Sequence, residues 1–304
     1  MPALVSDPAH FLFPVPSFIN ILTPDFHLNN IGTMKNKETY TLITGGSGGL
    51  GKALAEECAW RGMNLILVAL PDKELARTSE YIKNKYKVKV WIYGVDLVQR
   101  GAPEKIHAFC EHNGLTVNML INNAGARGHT LFEKSSIDYN ELRIHLNVRA
   151  LVLLTRLFIP SMKKLDSAYI LNVGSIASFF SIPFKSVYSA SKAFVLSFSK
   201  ALRGELKHTS IKVSILCPNA FNTDIHSDLS IKTHGIKGKI VLVTPEKIAK
   251  TGIKKLLKGK KIIIPGSANK FLLWAGKILP ETIKQRILYH EFKKELAVER
   301  ERKE

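Results

Sequence analysis

Cysteine is scarce in this sequence, and the scarcity argues against two classes of protein. Three cysteines occur in 304 residues, namely Cys58, Cys110 and Cys217. They are odd in number, lie far apart among apolar neighbours and include no Cys-x-x-Cys motif. A disulfide-stapled secreted domain and a cysteine-ligated metal or redox site require the opposite pattern. We therefore predict reduced core thiols and no metal site.

Long apolar runs are also missing. The longest apolar stretches are interrupted, as at Arg156 and Pro160, and stay short of the roughly 18–20 residues that a spanning helix requires. The apolar run near the amino end contains Pro14 and Pro16 and has no basic residue before it, unlike a secretory signal. The sequence thus argues against membrane spanning and export, and it predicts a cytoplasmic location.

Acidic residues are in the minority. The chain has 25 Asp and Glu against 44 Lys and Arg, a formal net charge of +19. This charge suits an acidic partner, which could be nucleic acid, anionic lipid or a phosphorylated ligand. Net charge alone does not distinguish these three classes. Because the basic residues are scattered, without zinc-finger spacing or interleaved aromatics, we predict no nucleic-acid binding.

Hydrophobic residues make up 45% of the chain, which is typical of a globular protein with a sizeable core. From residue 40 onward, short β-branched runs alternate with amphipathic stretches, and the continuous apolar run 65–68 fits a sheet buried on both faces. This alternation predicts an α/β fold with a doubly wound, Rossmann-like parallel sheet. The predicted strands are residues 40–44, 65–70, 88–93, 117–121, 168–173, 211–216 and 261–264.

A glycine-rich segment, Thr44-Gly-Gly-Ser-Gly-Gly-Leu-Gly51, follows the first predicted strand and runs into a helical pattern. Glycines permit a tight turn and let the backbone approach a pyrophosphate, whose charge then meets the positive end of the helix. An ordinary turn is the alternative, but the position between strand and helix favours dinucleotide binding. The predicted contacts are Thr44, Gly45, Ser47, Gly49, Leu50 and Gly51.

A phenol and an ammonium lie four residues apart in Tyr188-Ser-Ala-Ser-Lys192. On a helix they share one face, where the ammonium favours the phenolate. We predict that Tyr188 transfers a proton, and that Lys192 assists it and binds the ribose of a nicotinamide cofactor that both residues contact. Alone, such a pair is typical of a solvated helix face.

Two further polar residues precede this pair. Ser175 follows the predicted strand 168–173, at the end where a Rossmann sheet opens its ligand crevice, and its hydroxyl is predicted to bind the substrate oxygen. Asn147 lies in an apolar helical stretch, where an amide needs hydrogen-bond partners, and a proton-relay water is one way to supply them. The alternative role of Ser175 is a helix cap, and that of Asn147 is a core amide whose hydrogen bonds are satisfied.

Together these segments resemble the short-chain dehydrogenase/reductase superfamily over roughly residues 38–225. The Thr-Gly-x-x-x-Gly-x-Gly spacing of the loop, Asp96 after the third strand and Asn-Asn-Ala-Gly at 122–125 occur in the family's order. The resemblance implies that Asp96 lies near the adenine ring and that Asn123 borders the cofactor. Taken singly, Asp96 is typical of a helix N-cap, and Asn122 and Asn123 of a turn that fixes neighbouring strands. It further implies a catalytic tetrad of Asn147, Ser175, Tyr188 and Lys192.

The implied activity is NAD(P)-dependent interconversion of a carbonyl and a secondary alcohol, commonly in a homo-oligomer. The intact tetrad argues against the alternative, a non-catalytic dinucleotide-binding sensor or scaffold on the same fold. The aromatic-rich segment between residues 175 and 188 predicts a small apolar substrate such as an acyl chain, a steroid-like ring or an aromatic ketone. Ordinary core anchoring by these aromatics is the other interpretation, and residues 224–240 are predicted to form a lid.

Two places depart from the family pattern. After the sixth strand, Asn219 replaces the usual glycine, and Phe221 and Thr223 are the candidates for contact with the nicotinamide amide.

At the end of the second strand, Ala69 and Leu70 replace the acid of NAD-preferring relatives and the arginine of many NADP-preferring ones. Without the acid a 2′-phosphate is not repelled, so NADP(H) is favoured over NAD(H), with Asp72 as an alternative ribose ligand.

The chain divides into a central domain with an extension at each end. Residues 1–33 contain five prolines and neither Lys nor Arg, so we predict a flexible extension over 1–37, with an over-extended reading frame as the alternative. Residues 38–266 form the predicted catalytic domain. Residues 267–304 are predicted to form two basic amphipathic helices separated by Pro280. We favour their packing on the substrate side or on a second subunit over the sharper hypothesis, peripheral binding to anionic membrane through Trp274.

Overall fold

Seven parallel strands form the centre of the molecule. The computed structural model describes residues 38–219 and 243–301, and its strands pair in the order β3-β2-β1-β4-β5-β6-β7. The strands are β1 (Thr39–Thr44), β2 (Asn64–Ala69), β3 (Val90–Gly94), β4 (Thr116–Asn122), β5 (Ala168–Val173), β6 (Ile211–Leu216) and β7 (Ile262–Ile263). Each predicted strand is present, and the predicted doubly wound α/β fold is confirmed.

Helices cover both faces of this sheet. Those in the described residues are α1 (Gly49–Trp60), α2 (Lys73–Tyr86), α3 (Ala102–His112), α4 (Ile137–Ile144), α5 (Ala150–Met162), α6 (Ser186–Glu205), α7 (Pro245–Leu257), α8 (Ser267–Ile278) and α9 (Glu281–Glu301). Helices α1, α2 and α7 pack on one face, and α3, α5 and α6 on the other. Two covered faces explain why strand β2 is apolar along its length, with Leu65, Ile66 and Leu67 fully buried.

The order of the strands reverses between β1 and β4. The chain runs outward from β1 to β2 and β3, and then returns to β4 on the other side of β1. The loops after β1 and β4 therefore diverge and leave a crevice at the carboxyl ends of the strands, which is where open α/β sheets bind ligands. The glycine-rich loop and the Asn-Asn-Ala-Gly segment both border this crevice.

The carboxyl-terminal helices α8 and α9 confirm the two predicted helices, and Pro280 lies between them. Helix α9 contacts the crevice side of the domain. The Glu295 carboxylate lies 2.8 Å from the Lys185 ammonium and 3.1 Å from the His129 imidazole. This agrees with the favoured prediction of packing on the substrate side. Within the described part of the chain, no helix has the length and apolar character needed to cross a bilayer.

The cysteines lie in the core, as predicted. All three are buried and free of disulfides. Burial raises the pKa of Cys110 and of Cys217 to about 12, so these thiols stay protonated near neutral pH.

Some predictions lie outside the described residues. These are the extension at 1–37, the lid at 224–240, and the candidates Phe221 and Thr223. The division into three segments stays a prediction.

Candidate active site

The glycine-rich loop turns sharply between β1 and α1. Gly45 and Gly49 have left-handed backbone angles, with φ of 65° and 51°, which glycine adopts at little cost. A Cβ on Gly51 would lie 1.8 Å from the Gly45 carbonyl oxygen, so this position requires glycine. Gly48 is the N-cap of α1 and has no side chain, which leaves the first helix amides for a ligand. A Cβ on Gly48 would meet no atom within 4 Å, so the space beside this helix end is open, as an anion site there requires.

Ser47 and Leu50 hold the loop in different ways. The Ser47 carbonyl oxygen accepts a hydrogen bond from the Thr78 hydroxyl of α2 at 2.9 Å. Leu50 lies in the first turn of α1 and is buried in the core. Sequence analysis missed Thr78, because a threonine within a helix belongs to no motif. Direct contact of Ser47 or Leu50 with a dinucleotide stays a prediction.

Thr44 and Asn123 join the loop to the end of β4. The Thr44 hydroxyl accepts hydrogen bonds from the amides of Asn123 and Ala124, each at 3.0 Å. The Asn123 side chain donates to the carbonyl oxygens of Thr44 at 2.9 Å and of Gly45 at 3.3 Å. These bonds fix the two sides of the crevice relative to each other. Contact of either side chain with a cofactor stays a prediction.

Asn122 points into the core instead. Its amide donates to the Thr155 hydroxyl at 3.0 Å and to Asn172 Oδ1 at 2.9 Å, and the Asn172 amide donates to the Ser199 hydroxyl at 2.9 Å. This buried chain links β4 and β5 to helices α5 and α6 just below the crevice. It supports the interpretation that Asn122 fixes neighbouring strands, whereas Asn172 and Ser199 were not identified from the sequence.

Two aspartates near the predicted adenine and ribose positions accept backbone hydrogen bonds. Asp96 Oδ1 accepts from the Val98 amide at 3.0 Å, which closes a turn and corrects the alternative that Asp96 caps a helix. Asp72 is the N-cap of α2 and accepts from the Leu75 amide at 3.0 Å. The contact of Asp96 with adenine and the reach of Asp72 to a ribose stay predictions.

Asn147 and Lys192 of the predicted tetrad meet at the ends of β4 and β5. A Cβ built on Gly125 would lie 3.0 Å from Asn147 Oδ1 and 3.3 Å from Lys192 Nζ, so both polar atoms flank this one glycine. Lys192 Nζ donates to the carbonyl oxygen of Val173, the last residue of β5, at 3.0 Å. Ser175 follows two residues later, and Tyr188 precedes Lys192 by one turn of α6.

Asn147 is held by protein groups. It lies in a π-helical turn, His145–Arg149, between α4 and α5, and such turns frequently occur at functional sites. Its Oδ1 accepts from the Ala126 amide at 2.8 Å, while its Nδ2 donates to the Ala126 carbonyl and the Ser191 hydroxyl, each at 3.0 Å. The Ser191 hydroxyl donates to the Tyr188 carbonyl oxygen at 2.7 Å. Asn147 is therefore coupled to the Tyr188 helix through Ser191, a residue not identified from the sequence.

Ser175 begins a 3₁₀ turn, Ile176–Phe179. Its hydroxyl oxygen accepts from the Ala177 amide at 3.1 Å, and its own amide donates to the Ser178 hydroxyl at 3.2 Å. This is the cap that sequence analysis gave as the alternative role. A hydroxyl has one donor and two acceptor positions, so the capped Ser175 can still donate to an oxygen in the crevice.

Lys192 has an unusual electrostatic environment. It is 6% exposed, and burial lowers its pKa to about 8, with repulsion from the Arg127 guanidinium acting in the same direction. An ammonium that titrates near working pH and lies beside a tyrosine in a crevice is typical of catalytic groups. Arg127 lies in the loop after β4 and carried no signal in the sequence.

A shallow groove lies beside Tyr188, and its lining combines Phe132 and Phe184 with polar side chains that include Arg143 and Lys185. Phe184 has a φ of 64°, which is rare for a bulky side chain, and its carbonyl oxygen accepts from the Thr130 amide at 2.8 Å. Phe184 of the predicted aromatic segment therefore lies at this groove, together with Phe132 from the loop after β4. Phe180 instead packs against α8, as core anchoring predicted.

Residues 39–233, more than half of the chain, match the family described as short chain dehydrogenase. The chain belongs to the short-chain dehydrogenase/reductase family. The matched segment contains the glycine-rich loop, the Asn-Asn-Ala-Gly segment and all four residues of the predicted tetrad. The family resemblance deduced from the sequence is thus confirmed.

Individual relatives of this short-chain dehydrogenase act on acyl and steroid compounds, as their names state. The very-long-chain 3-oxoacyl-CoA reductase of Mus musculus is 34% identical over 184 residues, which cover 59% of this chain and 58% of that protein. The chain thus spans less than two thirds of that curated relative.

Two solved structures are similar over most of their length. A 7beta-hydroxysteroid dehydrogenase has a TM-score of 0.75 at 26% identity, covering 82% of this chain and 96% of its own. A short-chain dehydrogenase from Sphingobium yanoikuyae in complex with NADPH has a TM-score of 0.68 at 27% identity, covering 79% and 93%.

Proposed function

We propose that this short-chain dehydrogenase is an NAD(P)-dependent oxidoreductase that interconverts a carbonyl and a secondary alcohol on an apolar substrate. The observation that carries the proposal is the meeting of Asn147 and Lys192 beside Gly125, with Lys192 bonded to the end of β5 just before Ser175 and one turn after Tyr188. The glycine loop, whose helix end is open, lies at the same edge of the sheet. When bound at that loop, a nicotinamide cofactor would supply or accept the hydride.

Residues of the chain itself transfer the proton to and from the substrate oxygen. In the reducing direction the Tyr188 hydroxyl donates its proton to the substrate oxygen, and in the oxidising direction the phenolate takes it back. The Lys192 ammonium favours the phenolate form, and the Ser175 hydroxyl donates a hydrogen bond to the same substrate oxygen. Asn147 acts as a positioning residue, because its amide holds Ser191 and the loop at Ala126.

Two observations support an apolar substrate class. Phe132 and Phe184 lie at the groove beside Tyr188, and the names of the mouse and 7beta-hydroxysteroid relatives refer to acyl-CoA and steroid compounds. We expect consumption of NADPH or NADH with long-chain 3-oxoacyl thioesters or keto-steroids, and little with sugar ketones. Turnover confined to sugars would contradict the apolar substrate. If the protein binds neither NADPH nor NADH, the proposed activity is wrong.

NADP(H) is the cofactor that we propose, because the end of β2 carries no acid. Leu70 is 55% exposed there, so a longer side chain fits without disturbing the core. We expect Leu70→Arg to tighten NADPH binding by about tenfold, since a guanidinium pairs bidentately with a phosphate, and to leave NADH affinity unchanged. Fluorescence titration with both cofactors measures this, and an equal change for both would argue against a ribose phosphate at Leu70.

The affinity for NADPH is also expected to depend on pH. Because the pKa of Lys192 is about 8, its ammonium loses the proton as the pH rises through that value, and its bonds to the cofactor weaken. NADPH affinity of the free protein is therefore expected to fall above about pH 8. Arg127→Gln removes a repulsion, raises this pKa and moves the fall to higher pH. Titrations at stepped pH that show no fall, or the same fall in the variant, would refute this role of Lys192.

The homo-oligomer and the cytoplasmic location stay predictions. Sedimentation velocity over a range of concentrations tests the first, and fractionation of the source cells tests the second.

A further inference from the structure

Large apolar side chains face outward along α8 and α9. On α8, Phe271, Trp274 and Ile278 are 67%, 60% and 64% exposed, and their spacing places them on one side of the helix. On α9, Ile283 and Ile287 are 47% and 48% exposed, one turn apart. We call these five residues the apolar platform. Exposed apolar patches of this kind mark interaction sites in proteins.

The other side of α8 is firmly packed, so the exposure of the platform does not come from a detached helix. Leu273 and Asn269 are buried, and the Asn269 amide donates to the Pro265 carbonyl at 2.8 Å. A Cβ on Gly276 would lie 2.7 Å from the Phe180 ring, which shows how closely α8 approaches the domain. The helix therefore presents its apolar side outward in a fixed orientation.

The charge along the chain before and through α8 is uniformly positive, whereas α9 begins with an acidic residue, Glu281. Nine lysines and no acidic residue occur between residues 247 and 280. Burial lowers the pKa of Lys255, and repulsion from Lys270 and Lys260 lowers it further, so these three ammonium groups lie near one another. Lys270 directly precedes Phe271 and therefore connects the cationic cluster to the platform.

We propose that the apolar platform docks on the surface of an anionic lipid bilayer. An amphipathic helix lies in the interface with its apolar side among the acyl chains, tryptophan at the boundary and lysines on the headgroup phosphates. A second copy of the chain fits less well, because a twofold contact across the platform brings the same lysine cluster close to itself. The docking rests on α8 and α9 alone and does not depend on the proposed reaction.

The apolar platform and the groove beside Tyr188 are connected through α9. Helix α9 carries Ile283 and Ile287 on the platform and is tied to the groove wall at Lys185 through Glu295. If the proposed apolar substrate is correct, a docked protein holds its groove near the bilayer in which that substrate dissolves.

Vesicle flotation of the full chain, without substrate or cofactor, tests the proposal. We expect flotation with phosphatidylcholine vesicles that contain phosphatidylserine, none with phosphatidylcholine alone, and a decrease at high salt. Trp274→Glu is expected to weaken partitioning by at least about tenfold, and Lys270→Ala by about fivefold. Trp60→Glu is the matched control, because Trp60 is 58% exposed at the end of α1, away from the platform, and it should float like the wild type.

Tryptophan fluorescence supplies a second readout that needs no charge substitution. The chain has three tryptophans, so Trp60→Phe with Trp91→Phe leaves Trp274 alone. Its emission should shift to the blue with acidic vesicles and be quenched by brominated lipid. No flotation with acidic vesicles at low salt, or equal flotation of Trp274→Glu and wild type, overturns the proposal. Self-association that Trp274→Glu abolishes, without vesicle binding, also overturns it and assigns the platform to a second copy.

Discussion

Tyr188→Phe is expected to lower kcat by about a thousandfold while leaving cofactor affinity largely unchanged. Phenylalanine keeps the ring but has no proton to transfer, and general acid catalysis contributes about 10²- to 10⁴-fold in enzymes. The Tyr188 backbone carbonyl still accepts from Ser191 in the variant, so the helix geometry is retained. Steady-state rates on the best substrate of the panel, with cofactor titration alongside, measure both quantities.

Tyr169→Phe is the matched control for this substitution. Tyr169 lies near the start of β5, at the opposite end of the strand from Ser175, and its hydroxyl contacts only the Ser167 side chain among the bonds described. The control should retain turnover close to the wild type. Near wild-type turnover of Tyr188→Phe itself would rule out Tyr188 as the proton donor.

Lys192→Ala is expected to damage two properties at once. Loss of the ammonium removes its support for the Tyr188 phenolate, which we expect to lower kcat by about a hundredfold. Loss of its donors to a ribose is expected to weaken cofactor binding by about tenfold. Stopped-flow single turnovers separate the chemical step from binding, and titration of the variant gives the affinity.

The two effects of Lys192→Ala discriminate between the roles assigned to one side chain. An unchanged cofactor affinity would remove the ribose role and leave the electrostatic one. Thermal unfolding of the variant serves as the control for structure, because Lys192 also donates to the Val173 carbonyl at the end of β5.

Local sequence patterns predicted the strands, the glycine loop and the helix break, because strands and tight turns depend on the types of neighbouring residues. The apolar run at 65–68 identified a strand covered on both faces, which the structure confirms. The glycine spacing identified the loop, because Gly51 lies where any side chain would meet the Gly45 carbonyl oxygen. Pro280 identified the break between α8 and α9.

Contacts between distant segments were not predictable in this way. Arg127, which lowers the pKa of Lys192, and Ser191, which couples Asn147 to the Tyr188 helix, belong to no motif. Asn172 and Ser199 act through bonds that join residues 50 and 27 positions apart. Such partners come together only when the sheet order places β4 beside β5.

The amino-acid sequence alone determined the fold class, the glycine loop and the two carboxyl-terminal helices, because each depends on the residue pattern within its own segments. Only the tertiary structure decided which side of α8 is buried and where α9 lies. Helix periodicity places Phe271 and Trp274 on one side of α8, but the opposite side packs on the domain because Gly276 lies there against the Phe180 ring, from 96 residues earlier in the chain. The position of α9 is fixed in the same way by Lys185, which binds Glu295 across 110 residues.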